Sequence, residues 1–329
     1  MIDLALLKIL ADGKFHSGTS LGKELGLGRS AVWKQMKAIE SYGVEVFSVR
    51  GRGYRLPKGL DLLDVEHVRG LLSAQAKSQL EHIELNTFTD STNLMALRNI
   101  DQWRHGALYV TEYQQAGRGR RGRTWVGSLA TNLYFSLMWK FSGGAVALQG
   151  LSLLVGVSVI EALSEVGIKG VELKWPNDLL FKGRKLAGIL LEMQGDASGE
   201  VSVVIGIGIN VLMSESSKQA SQIDQPWVDL ASITDRKIDR NKLLAVILSR
   251  LIENLNVFST QGFSAFIDRW MAVHAYQDSY VKLISPNSEI EGICRGVNEQ
   301  GALLLERFGQ IEAHHGGEIS VRALEAHVK

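Results

Sequence analysis

The run Gln114-Gln115-Ala116-Gly117-Arg118-Gly119-Arg120-Arg121-Gly122-Arg123-Thr124-Trp125 decides how the middle of this chain folds. Gly117, Gly119 and Gly122 satisfy the spacing G-x-G-x-x-G, the fingerprint of a dinucleotide-binding turn. That fingerprint must open a helix packed against the preceding strand. Here the variable positions are arginines, and the run that follows, Leu133–Trp139, is strand-like. Ala107–Tyr113 before it also reads as a strand. The pattern therefore predicts two strands joined by a glycine–arginine loop and excludes a nicotinamide-binding β–α unit. Glycines let backbone approach an anion and guanidinium groups neutralise it, so the loop suits closure over a phosphate. The bland alternative is a solvated basic loop.

Flanking segments extend the sheet. Upstream, Ile83–Phe88 reads as a strand and Leu94–Leu97 as a helix, with Asp90-Ser91-Thr92-Asn93 between them. Short hydroxyl and amide side chains at such a junction either cap the helix or hydrogen-bond a polar ligand. Downstream, Glu172-Leu173-Lys174-Trp175-Pro176-Asn177-Asp178, Arg184–Glu192 and Val201–Val211 read as consecutive strands, with Lys182-Gly183 at a hairpin turn. Lys185 opens one strand, where its ammonium can reach a site at the sheet end. Gly188, Gly206 and Gly208 are expected to leave room for a flat ligand on the sheet.

Residues 1–60 are different in kind. They hold ten Lys/Arg against five Asp/Glu, although the whole chain of 329 residues carries a formal net charge of +1. A basic head on a mildly acidic body directs any polyanion to the head. Leu4, Leu7 and Ile9-Leu10 recur at helical spacing, and Ser17 can cap a second helix with Leu21 and Leu25 inward. Gly26-Leu27-Gly28 makes a turn into a third helix, about Arg29–Tyr42. Its inner face is Val32, Met36 and Ile39, and its outer face includes Arg29, Ser30, Trp33, Lys34 and Lys37. Strands at Val44–Val49 and Tyr54–Leu56 flank a tip carrying Arg50 and Arg52. This is a helix-turn-helix with a basic wing, suited to DNA; a merely solvated amphipathic helix is the alternative. Pro57-Lys58-Gly59 reads as the linker.

The remaining composition is that of a soluble globular chain, 45% hydrophobic and 22% charged. A single cysteine, Cys294, fits a reducing, cytoplasmic setting. Met1-Ile2-Asp3-Leu4 does not read as a signal peptide, and the apolar run near Leu151–Leu163, broken by Glu161, reads as a buried helix and not as a membrane span. Short strands at Val281–Ile284, Glu289–Val297, Ala302–Glu306, Gln310–Ala313 and Glu318–Arg322 predict a small C-terminal barrel.

Taken together, Asp90–Asn93, Gly117–Gly122, Lys174–Asp178, Lys185–Leu190 and Gly206–Asn210 strongly resemble the biotin protein ligase family. With the basic head, the resemblance is closest to its bifunctional members, which also repress a biotin operon. It implies an α/β (α+β) chain: a winged helix-turn-helix at 1–60, a mixed-sheet biotin/lipoate ligase-like catalytic domain at 65–270, and an SH3-like barrel at 271–329. It implies two steps: biotin and Mg-ATP give biotinyl-5′-AMP and pyrophosphate, and an acceptor lysine of a biotin carboxyl carrier domain then takes the biotin. The other implied partners are operator DNA and a second copy of the chain once the adenylate is bound.

The resemblance also assigns residues. Ser91, Thr92, Asn93 and Gln114 would meet the biotin head, with Gly117, Arg118, Gly119, Trp125 and Gly188 lining biotin. Arg120 and Lys185 would be catalytic. Arg118, Arg120, Arg121, Asn177, Asp178, Asn210 and Trp227 would bind the nucleotide, with Asp178 toward Mg2+. The segment Met213–Gln225 departs from the family, being serine-rich with Lys218 as its one basic residue. A lipoate-type ligase and a non-catalytic biotin sensor are the rival readings.

Overall fold

The computed structural model describes residues 2–102, 105–195, 199–213, 217, 219–286, 288–317 and 319–324. Lys218 and part of the departing Met213–Gln225 segment lie outside the described residues.

The head is built from α1 (Leu4–Leu10), α2 (Gly18–Leu25), α3 (Arg29–Ser41), β1 (Phe47–Val49) and β2 (Gly53–Arg55). Asp3 and Ser17 cap α1 and α2 with their side chains. Val32, Met36 and Ile39 of α3 are buried against Leu6, Leu7, Leu10 and Leu21, the core that periodicity required. The wing is shorter than expected: only Phe47–Val49 pairs with Gly53–Arg55, and Val44 and Val46 pack against the head core instead.

The head is docked on the catalytic body. The Tyr42 carbonyl accepts from Leu129 N at 3.0 Å, and the Ser41 carbonyl accepts from Gln219 Nε2 at 3.0 Å. Tyr42 also packs its ring on Phe88 and Tyr113, with centroids 4.9 and 4.8 Å away. Gly43 makes the seam close: its φ is +83°, and a Cβ there would collide with the Gln219 amide and the Ser128 hydroxyl.

The body holds α4 (Val65–Leu71), α5 (Ala74–Gln79), β3 (His82–Thr89), α6 (Thr92–Arg98), β4 (Ala107–Gln114), β5 (Asn132–Phe141), α7 (Leu151–Glu165), β6 (Val171–Lys174), β7 (Asp178–Phe181), β8 (Arg184–Gly195), β9 (Val201–Asn210), α8 (Arg240–Gln261) and α9 (Ile267–Met271). Its seven strands run in the order β3-β4-β5-β9-β8-β7-β6. Only β3 and β4 are parallel, so the sheet is mixed. The stretch Val146–Glu165, which ends in α7, and α8 are long and apolar enough to cross a membrane by length and composition, but 61% and 56% of their apolar windows are buried in the fold. This is the buried-helix reading of Leu151–Leu163.

A buried ion pair knits the linker to the body. Arg240 and Glu112 meet at 2.5 Å with side chains 0% and 3% exposed. Arg240 also donates to the Asp61 and Asn132 carbonyls, and Glu112 accepts Leu63 N at 2.6 Å. Each guanidinium nitrogen and each carboxylate oxygen of the pair is thereby bonded, which offsets the burial of two charges.

The C-terminal strands are β10 (Tyr280–Ile284), β11 (Glu289–Val297), β12 (Leu303–Arg307), β13 (Gln310–His314) and β14 (Ser320–Ala323). They form one antiparallel sheet in the order β13-β12-β11-β10-β14. The expected barrel is thus an unclosed ladder among the described residues, with β13 and β14 at its two edges; an irregularity between Cys294 and Val297 breaks the register of β11. Glu318, expected to open the last strand, lies outside the described residues.

Candidate active site

The glycine–arginine loop, the start of α6, the end of β4 and the glycine-bearing parts of β8 and β9 surround a cavity of about 360 Å3. Ser91, Thr92 and Asn93 line it and are 2%, 4% and 4% exposed. Ser91 stands at the N-cap of α6 but makes no side-chain capping bond. The capping alternative therefore fails for this hydroxyl. Gln114 Oε1 accepts Thr92 N at 2.9 Å, holding the amide and the helix start together. Asn93 Nδ2 donates to Glu192 Oε2 at 2.8 Å, and Ser136 Oγ lies 2.5 Å from Asn93 Oδ1.

The glycine floor differs from expectation. The space over Gly188 and Gly208 is filled by the Trp125 indole; a Cβ at either glycine would meet that ring at 2.8 Å. Over Gly206 lies the Asn93 carboxamide. These glycines receive the protein's own side chains, which the sequence could not foresee because the partners come from other elements. Gly117 is outside the lining: its carbonyl accepts Trp125 N at 2.9 Å, closing the base of the loop. Gly119 and Arg118 do line the cavity.

The cationic wall is organised around Asp178. Lys185 Nζ is 2.7 Å from Asp178 Oδ1, and Lys174 Nζ is 3.9 Å from Oδ2. Burial pushes the Lys174 ammonium down to about 8, with Asp178 opposing the shift. The Lys185 ammonium also lies 5.4 Å over the Trp125 ring. Arg120 Nη1 donates to Asn177 Oδ1 at 2.8 Å, while Nη2 points at the Gly317 and Ile319 carbonyls of the C-terminal sheet. Burial lowers the Arg120 pKa, with Asp178 opposing. Arg121 reaches Ser320 Oγ at 3.3 Å. Asn177 spends its Nδ2 on the Ile189 carbonyl at 2.8 Å.

Two expected nucleotide residues fall elsewhere. Asn210 is 4% exposed, with Nδ2 turned to the Lys185 and Val228 carbonyls, and Trp227 bridges the Lys185 backbone. Neither lines the cavity; Gln222, Asp224 and Gln225 do. Asp178 and Asp224 are the lining carboxylates, and no cluster of three or more His, Cys, Asp or Glu forms a metal site among the described residues. That donor set fits a Mg2+ delivered on nucleotide phosphates, since Mg2+ takes one or two carboxylates and keeps water.

On the head, Arg29, Ser30, Trp33, Lys34 and Lys37 are exposed on one face of α3, as are Arg50 and Arg52 at the wing tip. Lys37 is engaged by Glu40 at 2.7 Å. Arg52 stacks 4.2 Å over the Phe15 ring, which ties the wing tip to the segment between α1 and α2.

The comparisons agree along the whole chain. Residues 85–210 match the Biotin/lipoate A/B protein ligase family, residues 3–55 an HTH domain, and residues 279–322 the Biotin protein ligase C terminal domain. The chain is 43% identical over 326 residues to the bifunctional ligase/repressor BirA of Salmonella typhimurium, covering 98% of both chains. It is 40% identical to its Escherichia coli counterpart, again over 98% of both.

The chain belongs to the biotin protein ligase family.

Among solved structures, the biotin protein ligase of Aquifex aeolicus in complex with biotin and ATP superposes with a TM-score of 0.64 at 31% identity, covering 74% of this chain and all of that one. Within the biotin protein ligase frame, sequence reasoning missed Ser136, Glu192 and Lys174. Ser136 lies in a strand buried along almost its whole length and Glu192 toward the exposed end of β8, neither within a motif the sequence singled out for chemistry, and Lys174 was read only as part of a motif.

Proposed function

We propose that this chain joins biotin to ATP, keeps the biotinyl-5′-AMP, and passes biotin to a lysine of a biotin carboxyl carrier domain; it also represses transcription with the adenylate as corepressor. The observation that carries the reading is the two-ended cavity. Asn93 is bonded to the carbonyl of Leu190, whereas Lys185 begins the same strand. The Lys185 side chain reaches along the strand to Gly188, where its Nζ would stand 3.5 Å from an added Cβ, so the ammonium lies over a position two residues, about 7 Å, from Leu190. A neutral hydroxyl–amide wall thus faces a cationic one, which fits a ligand with a polar ring at one end and a carboxylate at the other. A lipoate-type substrate, with an apolar dithiolane, would offer no polar partner to the Ser91 hydroxyl and the Gln114 amide nitrogen.

In this reading Ser91, Thr92, Asn93 and Gln114 bind the ureido head, and Trp125 and Gly188 flank the apolar chain. Lys185 and Arg120 stabilise charge on the α-phosphate as the biotin carboxylate oxygen attacks phosphorus and pyrophosphate departs. Asp178 would hold the magnesium ion, which supplies charge neutralisation of the phosphates. Arg121 faces the nucleotide, Arg118 stands on the biotin side beside Glu192, and Asn210 and Trp227 support the Lys185 strand beside the nucleotide. In the second step the acceptor amine attacks the carbonyl carbon and AMP leaves. The domains would be 1–60, 65–270 and 271–329, and the setting the cytoplasm.

Repression needs two heads, because one winged helix reads a short half-site. A second copy fits along β8. Its residues Arg184–Gly188 pair with β7, but Ile189–Gly195 have β9 on one side and no strand on the other among the described residues. Met193 there is 57% exposed. Biotin plus ATP is expected to drive sedimentation from monomer to dimer and to tighten operator binding in step. Lys34→Ala and Arg52→Ala should each lower the slope of log affinity against log salt by about one. Equal sedimentation with and without ligands, or an unchanged slope, would remove the repressor half of the proposal.

A further inference from the structure

The glycine–arginine loop is held from outside its own sequence. Arg118 Nη1 lies 2.9 Å from Glu192 Oε1, and the other carboxylate oxygen, Oε2, accepts Asn93 Nδ2 at 2.8 Å. Asn93 cannot drift, because its carboxamide lies against Gly206 and its Oδ1 takes Ser136 Oγ at 2.5 Å. Ser136 Oγ is 2.7 Å from Thr92 Oγ1, and Thr92 N donates to Gln114 Oε1 at 2.9 Å. The result is a hydrogen-bonded chain Arg118–Glu192–Asn93–Ser136–Thr92–Gln114. It begins in the middle of the loop, passes under the cavity through β8, α6 and β5, and returns to the residue at which the loop leaves β4.

Glu192 is the anionic member of this chain and joins the loop to the buried part. Asn93, Ser136 and Thr92 are buried, at 4%, 0% and 4% exposed. They form a rigid floor. Arg118 has a side chain 43% exposed, and Glu192 one 20% exposed. The pair is therefore the one partly solvated link in the chain, worth less than a buried pair and sensitive to salt.

We propose that Glu192 is a positioning residue that pins the glycine–arginine loop over the cavity through Arg118 and so retains the acyl-adenylate. This rests on the ligase reading. Glu192 touches no reacting atom. Its effect is to keep the loop in place between the two half-reactions, when the mixed anhydride must be shielded from water and from stray amines.

Glu192→Gln tests it. Glutamine keeps the acceptor for Asn93 and removes the charge that holds Arg118, so the melting temperature should stay near that of the parent. Two readouts separate the pin from the chemistry. In the ligand-free protein, trypsin should cut within Arg118–Arg123 several times faster in the variant, and the excess should vanish at high salt, where the parent pair is screened. In the loaded protein, preformed biotinyl-5′-AMP should dissociate about tenfold faster from the variant at low salt, with the rate of its formation within a factor of two. Glu192→Asp, which restores charge on a shorter arm, should recover part of the retention. Identical cleavage of parent and variant at low salt overturns the pin, whatever the ligand proves to be. Faster cleavage with unchanged adenylate release overturns its role in retention. A parent chain that makes no adenylate would defeat the ligase reading and, with it, the retention claim, while the cleavage result would still decide the pin.

Discussion

Replacing Lys185 by methionine is expected to slow adenylate formation by about 10²–10³-fold, with biotin affinity changed only a few-fold. Methionine keeps the length of the stem and its packing on Trp125, so the loss isolates the ammonium. That ammonium is poised but occupied: its 2.7 Å contact with Asp178 holds it at the mouth of the strand until phosphates arrive. Nucleotide phosphate competes for it, and Asp178 is then released toward the cation that accompanies the nucleotide. Charge that builds on the phosphoryl oxygens in the transition state strengthens that contact and lowers the barrier. Lys185→Arg should be intermediate, since the charge persists with a different reach and a planar head. Single-turnover formation of biotinyl-5′-AMP in saturating ATP measures both. A methionine variant as fast as its parent would move the catalytic cation to Arg120 or Lys174.

Removing the other central charge should act on stability and not on chemistry. Glu112→Ala leaves the Arg240 guanidinium buried at 0% exposure without its counter-charge, and also strips Leu63 N of its acceptor. Loss of one partner of such a pair costs about 3–5 kcal/mol, a large share of the net stability of a domain. Because the pair also holds Asp61 and Leu63, the segment leading out of the head should loosen with it. The double substitution Glu112→Gln, Arg240→Met should recover much of the loss, since no unpaired charge remains. Chemical denaturation of the three variants checks this. Equal midpoints for the alanine variant and its parent would mean that the Arg240 charge finds water in solution.

Pairings between distant segments mark where sequence reading stops. Local patterns were legible. The inner face of α3, the strand character on both sides of the glycine–arginine loop, the Lys182-Gly183 turn and the helix at Leu151–Leu163 follow from periodicity and turn chemistry. They excluded the dinucleotide fold. What joins distant segments was not legible. Glu112 and Arg240 are 128 positions apart, and Asn93 and Glu192 are 99 apart. Nothing in either neighbourhood announces its partner. The glycines of β8 and β9 illustrate the same boundary. Their small size correctly indicated close approach, but only packing reveals that Trp125 and Asn93 occupy the space. The C-terminal strands were found nearly residue for residue, whereas closure into a barrel, which depends on edge pairing, was not.

The docked head adds a physical reason for two functions to share one chain. The carbonyls that end α3 bond to Leu129, just beyond the glycine–arginine loop, and to Gln219, three residues before the cavity-lining Gln222. Segments that border the ligand therefore also set the seat of the DNA-facing helix.

A cavity that adenylates biotin must release pyrophosphate reversibly from ATP. The most direct measurement is exchange of labelled pyrophosphate into ATP by the purified chain, with biotin, with lipoate and with neither. Exchange should depend on biotin, be absent with lipoate, and collapse in Lys185→Met. Exchange driven by lipoate, or no exchange with biotin although biotin binds, would contradict adenylation of biotin in this cavity.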